Sequence, residues 1–219
     1  MNILESKNIT KIDLGHGIYV YSNVIPRDLN IPERLEKSLI NNPAYQWQPA
    51  YVGYQELIPE YRDCVDFKYK KEHLNNDGSD ESIELAKIWD DCYNLQKNAV
   101  DDYCQNQGIS ELRYWESFNF VKYNQGQHFQ YHNDHGFSYN CTVSLVAYLN
   151  DDYEGGGLHF AKQDILYTPK AGDLVVFPSN YMYPHRAMPV EKGTKYSLVT
   201  MLDYSDKYHK PEMYVETGS

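Results

Sequence analysis

Two histidines and one aspartate in the second half of the chain form a candidate set of metal ligands. His132 and Asp134 are separated by a single residue, and His185 follows further along. Alternate residues of a β-strand point to the same side, so a strand here would direct His132 and Asp134 at one metal ion. Two neutral imidazoles and one carboxylate bind one face of an octahedral Fe(II) ion and leave three positions open. A histidine and an aspartate at this spacing also occur by chance. The neighbouring sequence motifs therefore determine whether this pair indicates a metal site.

Two short motifs accompany these residues. Residues 123–127 read Tyr-Asn-Gln-Gly-Gln, and residues 193–196, which follow His185, read Gly-Thr-Lys-Tyr. With the histidines and the aspartate, they resemble the catalytic core of the 2-oxoglutarate- and Fe(II)-dependent dioxygenases, specifically the prolyl 4-hydroxylase-like branch. The resemblance spans residues 123–202. Within it, residues 154–160 resemble the glycine-glycine turn of that family.

The resemblance makes three residues the iron ligands of the catalytic centre: His132, Asp134 and His185. It makes Lys195 the cation that pairs with the distal carboxylate of 2-oxoglutarate, and it places Tyr123 and Tyr148 beside the co-substrate. The implied cofactors are Fe(II), 2-oxoglutarate and O2, with ascorbate as an additional reductant. The implied reaction is hydroxylation of a prolyl residue in a peptide or protein, with release of succinate and CO2.

Four positions depart from the pattern of this family. Cys141 stands where many relatives carry an arginine, and Ser144 occupies the hydroxyl position that follows it. Met201 stands where relatives often place a tryptophan, and Leu158 where some have threonine. A thioether fills space but donates no hydrogen bond. These departures leave the metal set unchanged, and they predict different contacts with the substrate.

The other histidines and the cysteines predict no second metal site. We assign His128 and His135 to the rim of the pocket, and we expect His159 to be a hydrogen-bonded structural histidine. His16, His73 and His209 follow no ligand pattern. The four cysteines lack the spacing of a zinc site and are expected to be reduced and mostly buried: Cys64, Cys92, Cys104 and Cys141.

Length and composition limit the architecture and the partners. A chain of 219 residues with 42% hydrophobic content can build one substantial core, so we expect a single domain over residues 1–219. Residues 1–110 would form a helical and loop-rich support region, 111–204 the catalytic core and 205–219 a polar tail. The net charge of −11 disfavours nucleic acid as a partner. Without a signal-peptide pattern or a long apolar run, we expect a cytoplasmic protein that does not bind membranes.

Periodicity divides the chain into helices followed by strands. Apolar spacing predicts helices over residues 32–41 and from 79 or 80 to 108, with a surface loop or substrate lid over 50–77 between them. After Gly108, four longer runs predict strands at residues 111–123, 141–149, 174–177 and 195–203, with shorter strands near Tyr131, Phe160 and Ile165. The expected class is mainly β (α+β), a double-stranded β-helix (jelly roll) with the helices packed on one sheet.

Three alternatives remain open. The same oxygenase chemistry could act on a free amino acid, another side chain or a nucleobase. A cupin-type barrel could bind a metal without oxygenase chemistry, but it would have no need of Lys195. A non-catalytic module could bind a partner through some of the 22 tyrosines, because aromatic side chains are common interface anchors.

Overall fold

A computed structural model describes residues 9–40, 42–53, 56–75, 78–136, 140–207 and 209. The end of the first predicted helix at Asn41, parts of the predicted loop over 50–77 and most of the predicted polar tail lie outside the described residues.

Two α-helices precede most of the strands, as the apolar spacing predicts. Helix α1 spans Ile31–Leu39, and helix α2 spans Asp80–Gln107. The hydroxyl of Ser79 accepts a hydrogen bond from the backbone N–H of Ser82 at the start of α2. Gly108 ends this helix in the left-handed conformation, with φ of 63°, which glycine adopts without steric cost. Both helix predictions are confirmed to within two residues at the ends that the structure describes.

The described residues contain sixteen strands, several of them only two residues long. In chain order they are β1 Thr10–Asp13, β2 Tyr19–Ser22, β3 Gln48–Pro49, β4 Arg62–Asp63, β5 Val65–Tyr69, β6 Tyr114–Trp115, β7 Phe118–Tyr123, β8 His128–His132, β9 Val143–Tyr148, β10 Glu154–Gly155, β11 Leu158–Phe160, β12 Ile165–Tyr167, β13 Leu174–Pro178, β14 His185–Ala187, β15 Val190–Lys192 and β16 Lys195–Asp203.

Two antiparallel sheets face each other. The main sheet has the order β1-β2-β13-β9-β16-β7-β5-β3, with β6 paired to one end of β16, and the minor sheet has the order β12-β11-β14-β8-β4. The rings of Phe160 in the minor sheet and Phe177 in the main sheet lie 4.9 Å apart, which brings the two inner faces into contact. Two packed antiparallel sheets of this kind form a jelly roll, so the predicted fold class is confirmed.

The main sheet is covered on both faces, and β9 illustrates the result. Leu145 and Ala147 point toward α2 and join the larger hydrophobic core, which includes Leu85 and Ile88 of that helix. Val146 points the other way, into a smaller core between the sheets. Because both faces are covered, every residue of β9 is buried. A strand of this kind reads as a continuous apolar run, here Val-Ser-Leu-Val-Ala-Tyr.

The N-terminal region contributes strands as well as helices, which the sequence analysis did not predict. Strands β1 and β2 extend one edge of the main sheet, and β5 and β3 extend the other. The chain changes sheets at Cys64, since β4 before it pairs with β8 of the minor sheet and β5 after it pairs with β7 of the main sheet. These strands are short and rich in charge and tyrosine, so their apolar alternation is weak.

Two expectations about composition can be compared with the structure. The four cysteines are free and buried, as predicted. Within the described part of the chain, no helix combines the length and the apolar character that crossing a bilayer requires.

Candidate metal and co-substrate site

The three predicted ligand side chains converge between the two sheets. His132 ends β8, and His185 begins β14 directly opposite it in the antiparallel register. Nε2 of His132 lies 3.6 Å from one carboxylate oxygen of Asp134, and Nε2 of His185 lies 3.7 Å from the other. The candidate ligand atoms all lie within 4.8 Å of one another. One metal ion can therefore be held by all three.

Asp134 reaches this cluster from a bend rather than from a strand. Strand β8 ends at His132, because its partner β14 begins opposite that residue and the ladder stops there. The prediction that one strand carries both His132 and Asp134 is therefore wrong for Asp134.

Backbone carbonyl groups determine which nitrogen of each imidazole faces the cluster. Nδ1 of His132 donates to the carbonyl oxygen of Gln130 at 2.8 Å, and Nδ1 of His185 donates to that of Tyr183 at 3.1 Å. A neutral imidazole has only one N–H, so the Nε2 atom that points at Asp134 keeps its lone pair. In metal-binding histidines, the ring nitrogen that does not bind the metal usually makes a hydrogen bond of this kind, which orients the imidazole.

A serine hydroxyl contacts the carboxylate of Asp134, and a second serine contacts that hydroxyl. The hydroxyl of Ser144 donates to Oδ2 of Asp134 at 2.5 Å, and it also lies 2.7 Å from the hydroxyl of Ser179. Ser144 and Ser179 are almost fully buried. The sequence analysis treated Ser144 only as a departure from the family pattern, whereas the structure gives it a contact with a candidate ligand.

The environment keeps His132 neutral. Burial lowers the pKa of His132 to about 3, with a further lowering by the nearby His185. Two imidazoles with free lone pairs and one oriented carboxylate are the donor set that suits Fe(II) with open positions for exogenous ligands. The residues present therefore fit the implied metal.

Lys195 lies at the other end of the same pocket without a counter-charge. It is 2% exposed, and its ammonium donates to the carbonyl oxygen of Gly156 at 2.7 Å. No ion pair joins it to a carboxylate among the described residues. Burial lowers the pKa of Lys195 to about 7, because the charged form loses its hydration there. A bound organic carboxylate would supply the missing charge.

Tyr123 and Tyr148 flank this lysine. The ammonium nitrogen lies 4.8 Å from the ring centre of Tyr123 and 5.5 Å from that of Tyr148, within cation–π range. Burial raises the pKa of both phenols well above their ordinary value. Both hydroxyls therefore stay protonated at neutral pH.

One pocket of about 600 Å³ connects the two ends. The β16 side chains that line it are, from the buried end to the mouth, Lys195, Ser197, Val199 and Met201, and those of β7 opposite them are Tyr123, Val121 and Asn119. Met201 pairs with Ser144, whose hydroxyl contacts Asp134, so the ligand cluster lies toward the mouth and Lys195 at the bottom.

Three other histidines form hydrogen bonds outside the ligand cluster. The ring of His128 donates to the carbonyl oxygen of Glu60, and the ring of His135 hydrogen-bonds the backbone of Cys141. His159 bonds the hydroxyl of Tyr131, in agreement with the prediction of a hydrogen-bonded histidine. Among the described residues, the ligand cluster contains no further histidine.

The departures from the family pattern fall in different places. Leu158 and Met201 line the pocket, where they make its wall more apolar. Cys141 lies outside the pocket lining, beside a separate surface depression. It therefore does not take the place of an arginine in the pocket.

Two polar residues of the pocket were missed from the sequence. Arg62 in β4 and Asn119 in β7 both line it. Asn119 lies within a predicted strand but has no motif around it, and Arg62 lies within the stretch predicted as a loop or lid. No local signal in the sequence identifies either residue.

Comparisons with known proteins agree with this geometry. Residues 118–202 match the family model described as the 2OG-Fe(II) oxygenase superfamily. The human multifunctional procollagen lysine hydroxylase and glycosyltransferase LH3 is 32% identical over 68 residues, 29% of this chain and 9% of that protein. The rat procollagen-lysine,2-oxoglutarate 5-dioxygenase 1 is 30% identical over 74 residues, 33% of this chain and 10% of that protein. The chain thus matches about a tenth of the length of these relatives.

Solved structures show the same fold over most of the chain. A prolyl-4-hydroxylase from Pseudomonas putida superposes with a TM-score of 0.60 at 22% identity, covering 85% of this chain and 92% of that one. A prolyl hydroxylase from Trichoplax adhaerens, in complex with a hypoxia inducible factor peptide fragment, gives 0.59 at 17% identity, covering 92% and 86%. The viral collagen prolyl hydroxylase of Paramecium Bursaria Chlorella virus-1, in its 2OG complex, gives 0.55 at 17% identity, covering 91% and 98%.

The resemblance stated from the sequence is therefore confirmed. Residues 118–202 match the model of the 2OG-Fe(II) oxygenase superfamily, and the fold over most of the chain is the one seen in the prolyl hydroxylase structures.

Proposed function

We propose that this protein is a 2-oxoglutarate- and Fe(II)-dependent dioxygenase that hydroxylates a prolyl residue in a peptide or protein. One observation carries the proposal. Three candidate ligand groups meet near the mouth of a pocket whose buried end holds a lysine, and no described carboxylate pairs with that lysine. A binding protein has no need of both features in one cavity. A cupin-type metal site would not require the lysine.

In this proposal each residue has a defined task. His132, Asp134 and His185 hold Fe(II) through two Nε2 atoms and a carboxylate, with Ser144 fixing the direction of that carboxylate. Lys195 pairs with the distal carboxylate of 2-oxoglutarate, and the hydroxyls of Tyr123 and Tyr148 donate to the same anion. Charge-assisted hydrogen bonds are shorter and stronger than neutral ones, so these three donors favour a dianion.

The protein supplies position and shelter for this chemistry. When bound, iron and 2-oxoglutarate provide an oxidant that places one atom of O2 on a substrate carbon, while the co-substrate leaves as succinate and CO2. The apolar wall formed by Val121, Val146, Leu158 and Val199 excludes water from the space between the metal and the lysine. Met201 and Leu158 add contact surface without hydrogen-bonding groups.

The prolyl target rests on the likeness of the fold to the prolyl hydroxylase structures, one of which holds a peptide. The test is to incubate iron-reconstituted protein with 2-oxoglutarate and a panel of proline-containing peptides, and to measure succinate and peptide mass together. We expect one oxygen mass on a prolyl residue for each succinate formed above the peptide-free rate. Succinate formation that no peptide stimulates would reject a peptide substrate.

A lysyl residue is the second candidate, because the matched curated relatives are named as lysine hydroxylases. Each peptide that becomes oxidised should be repeated with Pro→Ala and with Lys→Arg replacements. Loss of the oxygen mass only with Pro→Ala supports the prolyl target, and loss only with Lys→Arg supports the lysyl target.

The setting of the enzyme follows from the same proposal. Ferrous iron and four free cysteines suit a reducing compartment, so we expect a cytoplasmic enzyme. Ascorbate would serve to return oxidised iron to the ferrous form, and its omission should shorten the time over which turnover stays linear.

A further inference from the structure

A polar group of three residues lies in the pocket wall away from Lys195. Oδ2 of Asp66 accepts a hydrogen bond from Nη2 of Arg62 at 2.9 Å and another from the side-chain amide of Asn119 at 3.2 Å. Arg62 also donates through Nη1 to the backbone carbonyl of Tyr51 at 2.8 Å. One carboxylate therefore holds both Arg62 and Asn119 in fixed orientations.

Each of these two side chains keeps one polar atom without a partner. Nε of Arg62 and Oδ1 of Asn119 are buried, and neither forms a hydrogen bond with any described residue. The thiol of Cys64 lies beside the guanidinium, but sulfur is a weak acceptor and does not replace an oxygen. Buried polar atoms are nearly always paired in folded proteins, because leaving one unpaired destabilises the fold.

The two side chains line the pocket near the candidate metal ligands. Asn119 is opposite Val199, one inward-facing position from Met201 at the level of the ligand cluster. The guanidinium of Arg62 lies 4.9 Å from the ring centre of Phe129, and that ring stacks on His132 at 3.6 Å. Both residues line the same pocket as His132 and Asp134.

We propose that Arg62 and Asn119 together bind an amide group of the substrate, with Nε–H of Arg62 donating to the carbonyl oxygen and Oδ1 of Asn119 accepting from the N–H. One unpaired donor and one unpaired acceptor, on two side chains that bind the same carboxylate oxygen, complement an amide. This inference rests on the proposed function and adds to it the chemical group that the enzyme recognises.

The charge of the cluster favours an amide over a free amino acid. Asp66 already neutralises Arg62, so the cluster offers no net positive charge to a carboxylate. Moving the carboxylate and ammonium of a free amino acid out of water costs far more than moving a neutral amide. The prolyl nitrogen of a peptide carries no hydrogen, so the amide bound here would be the one that follows the target residue or a flanking one.

Two variants test the pair separately. Asn119→Leu removes the acceptor at similar size, together with the hydrogen bond to Asp66. Arg62→Lys keeps the positive charge but removes Nε–H, together with the hydrogen bonds of the two Nη atoms. We expect each to raise KM for the peptide substrate by about tenfold, the cost of one buried hydrogen bond of about 1.4 kcal/mol. Succinate formation without peptide and the affinity for Fe(II) and 2-oxoglutarate are measured for each variant, so that a change in peptide KM is separated from a change at the metal or co-substrate. The matched control is Arg27→Lys, since Arg27 also pairs with an aspartate but lies outside this pocket.

A change in the substrate completes the test. The peptide identified in the screen should be compared with analogues in which one backbone amide at a time becomes an ester, which removes the N–H. We expect one ester analogue to have a higher KM than the amide peptide with the wild-type enzyme. With Asn119→Leu, the same ester and the amide peptide should have equal KM values. If instead replacing an Asn or Gln side chain of the peptide gives this pattern, the bound amide is a side-chain carboxamide.

Several outcomes would overturn the inference. These are peptide KM values within about twofold of wild type for both variants, ester effects that simply add to Asn119→Leu, or a free amino acid that is turned over as well as its peptide. Failure of every peptide to bind would also overturn it. An intact absorbance band from Fe(II) and 2-oxoglutarate would then leave the dioxygenase proposal standing, so the two failures are distinguishable.

Discussion

The two ends of the pocket are built on opposite principles. At the metal end, each candidate ligand is held by a neutral partner: two backbone carbonyls fix the imidazoles, and Ser144 fixes the carboxylate of Asp134. At the buried end, the partners of Lys195 among the described residues are the carbonyl oxygen of Gly156 and two aromatic faces. The metal end is thus organised before binding, whereas the buried end carries a charge that a ligand has to complete.

The metal end therefore depends on the positions of its ligands, and the buried end depends on electrostatic attraction between Lys195 and a bound anion. A change at the metal end should affect iron first, and a change at the buried end should affect 2-oxoglutarate first. The following predictions are ordered from the largest expected effect to the smallest.

Removal of a ligand from the metal end should have the largest effect. We expect His185→Ala to abolish stoichiometric iron binding and to reduce turnover below detection, because two remaining ligands cannot hold the ion with the required geometry. The same holds for His132→Ala and Asp134→Ala. Metal analysis after reconstitution measures the first effect and succinate formation the second. His159→Ala is the matched control and should retain iron, and iron retained by His185→Ala would remove that residue from the ligand set.

Removal of the charge at the buried end should weaken the binding of 2-oxoglutarate and leave iron binding unchanged. We expect Lys195→Met to lower the affinity for 2-oxoglutarate by about 10- to 100-fold, the value of one hydrogen bond to a charged group. Equilibrium binding under anaerobic conditions provides the measurement. Lys192→Met, which removes an exposed lysine paired with Glu154, should bind normally. An unchanged affinity in Lys195→Met would contradict the proposed role of this lysine.

The affinity for 2-oxoglutarate should depend on pH through Lys195. Burial lowers the pKa of this lysine to about 7 in the unliganded protein, so its charged form becomes scarce at higher pH. The phenols of Tyr123 and Tyr148 and the thiol of Cys64 face it, and burial raises the pKa of each, so they stay neutral in this range. We expect the affinity to fall up to about tenfold per pH unit above pH 7, since each binding event then takes up one proton. Titrations across this range measure the slope, and an equal slope in Lys195→Arg would reject this origin.

The same lysine makes an independent prediction about stability. Its pKa is about 7 in the folded protein and near its ordinary 10.5 in the unfolded chain. Between these values the unfolded chain binds more protons, so the unliganded protein gains stability as the pH rises. Chemical unfolding should show this gain in the wild type and a smaller one in Lys195→Met. If both proteins respond equally, Lys195 does not carry an uncompensated charge.

Replacement of the serines near Asp134 should have the smallest effect on Fe(II) binding, and the effect should differ between the two serines. We expect Ser144→Ala to weaken Fe(II) binding by about 10-fold, within the usual range for residues that orient a metal ligand. Ser179→Ala should have less effect, because Ser179 contacts Ser144 rather than Asp134. Iron titrations of both variants, with Ser117→Ala as the control, establish the order. A larger effect from Ser179→Ala would mean that the carboxylate is held in another way.

The sequence predicted the parts of this site that lie in regular elements. Strand β16 was predicted with its observed ends at Lys195 and Asp203, because it is a long apolar run within a recognisable motif. Helix α2 was predicted because its cap and apolar stripe are local features. The convergence of His132, Asp134 and His185 followed from the resemblance, although the bend that carries Asp134 did not.

The missed residues depend on contacts between distant parts of the chain. Arg62 enters the pocket only because β4 pairs with β8, and Asn119 faces Arg62 only because both bind Asp66. The contact between Ser144 and Ser179 likewise joins β9 to the loop after β13. Pairings of this kind have no signature in composition or periodicity, since they arise from the packing of the two sheets.

The central claim is that one pocket binds ferrous iron at its mouth and 2-oxoglutarate between the iron and Lys195. Its most direct test is an anaerobic titration of the protein with Fe(II) and then with 2-oxoglutarate, followed by visible absorbance. We predict a charge-transfer band that saturates at one iron per chain, disappears in His185→Ala and needs more 2-oxoglutarate in Lys195→Met. No band at saturating iron and 2-oxoglutarate, or a band of equal strength in His185→Ala, would contradict the claim.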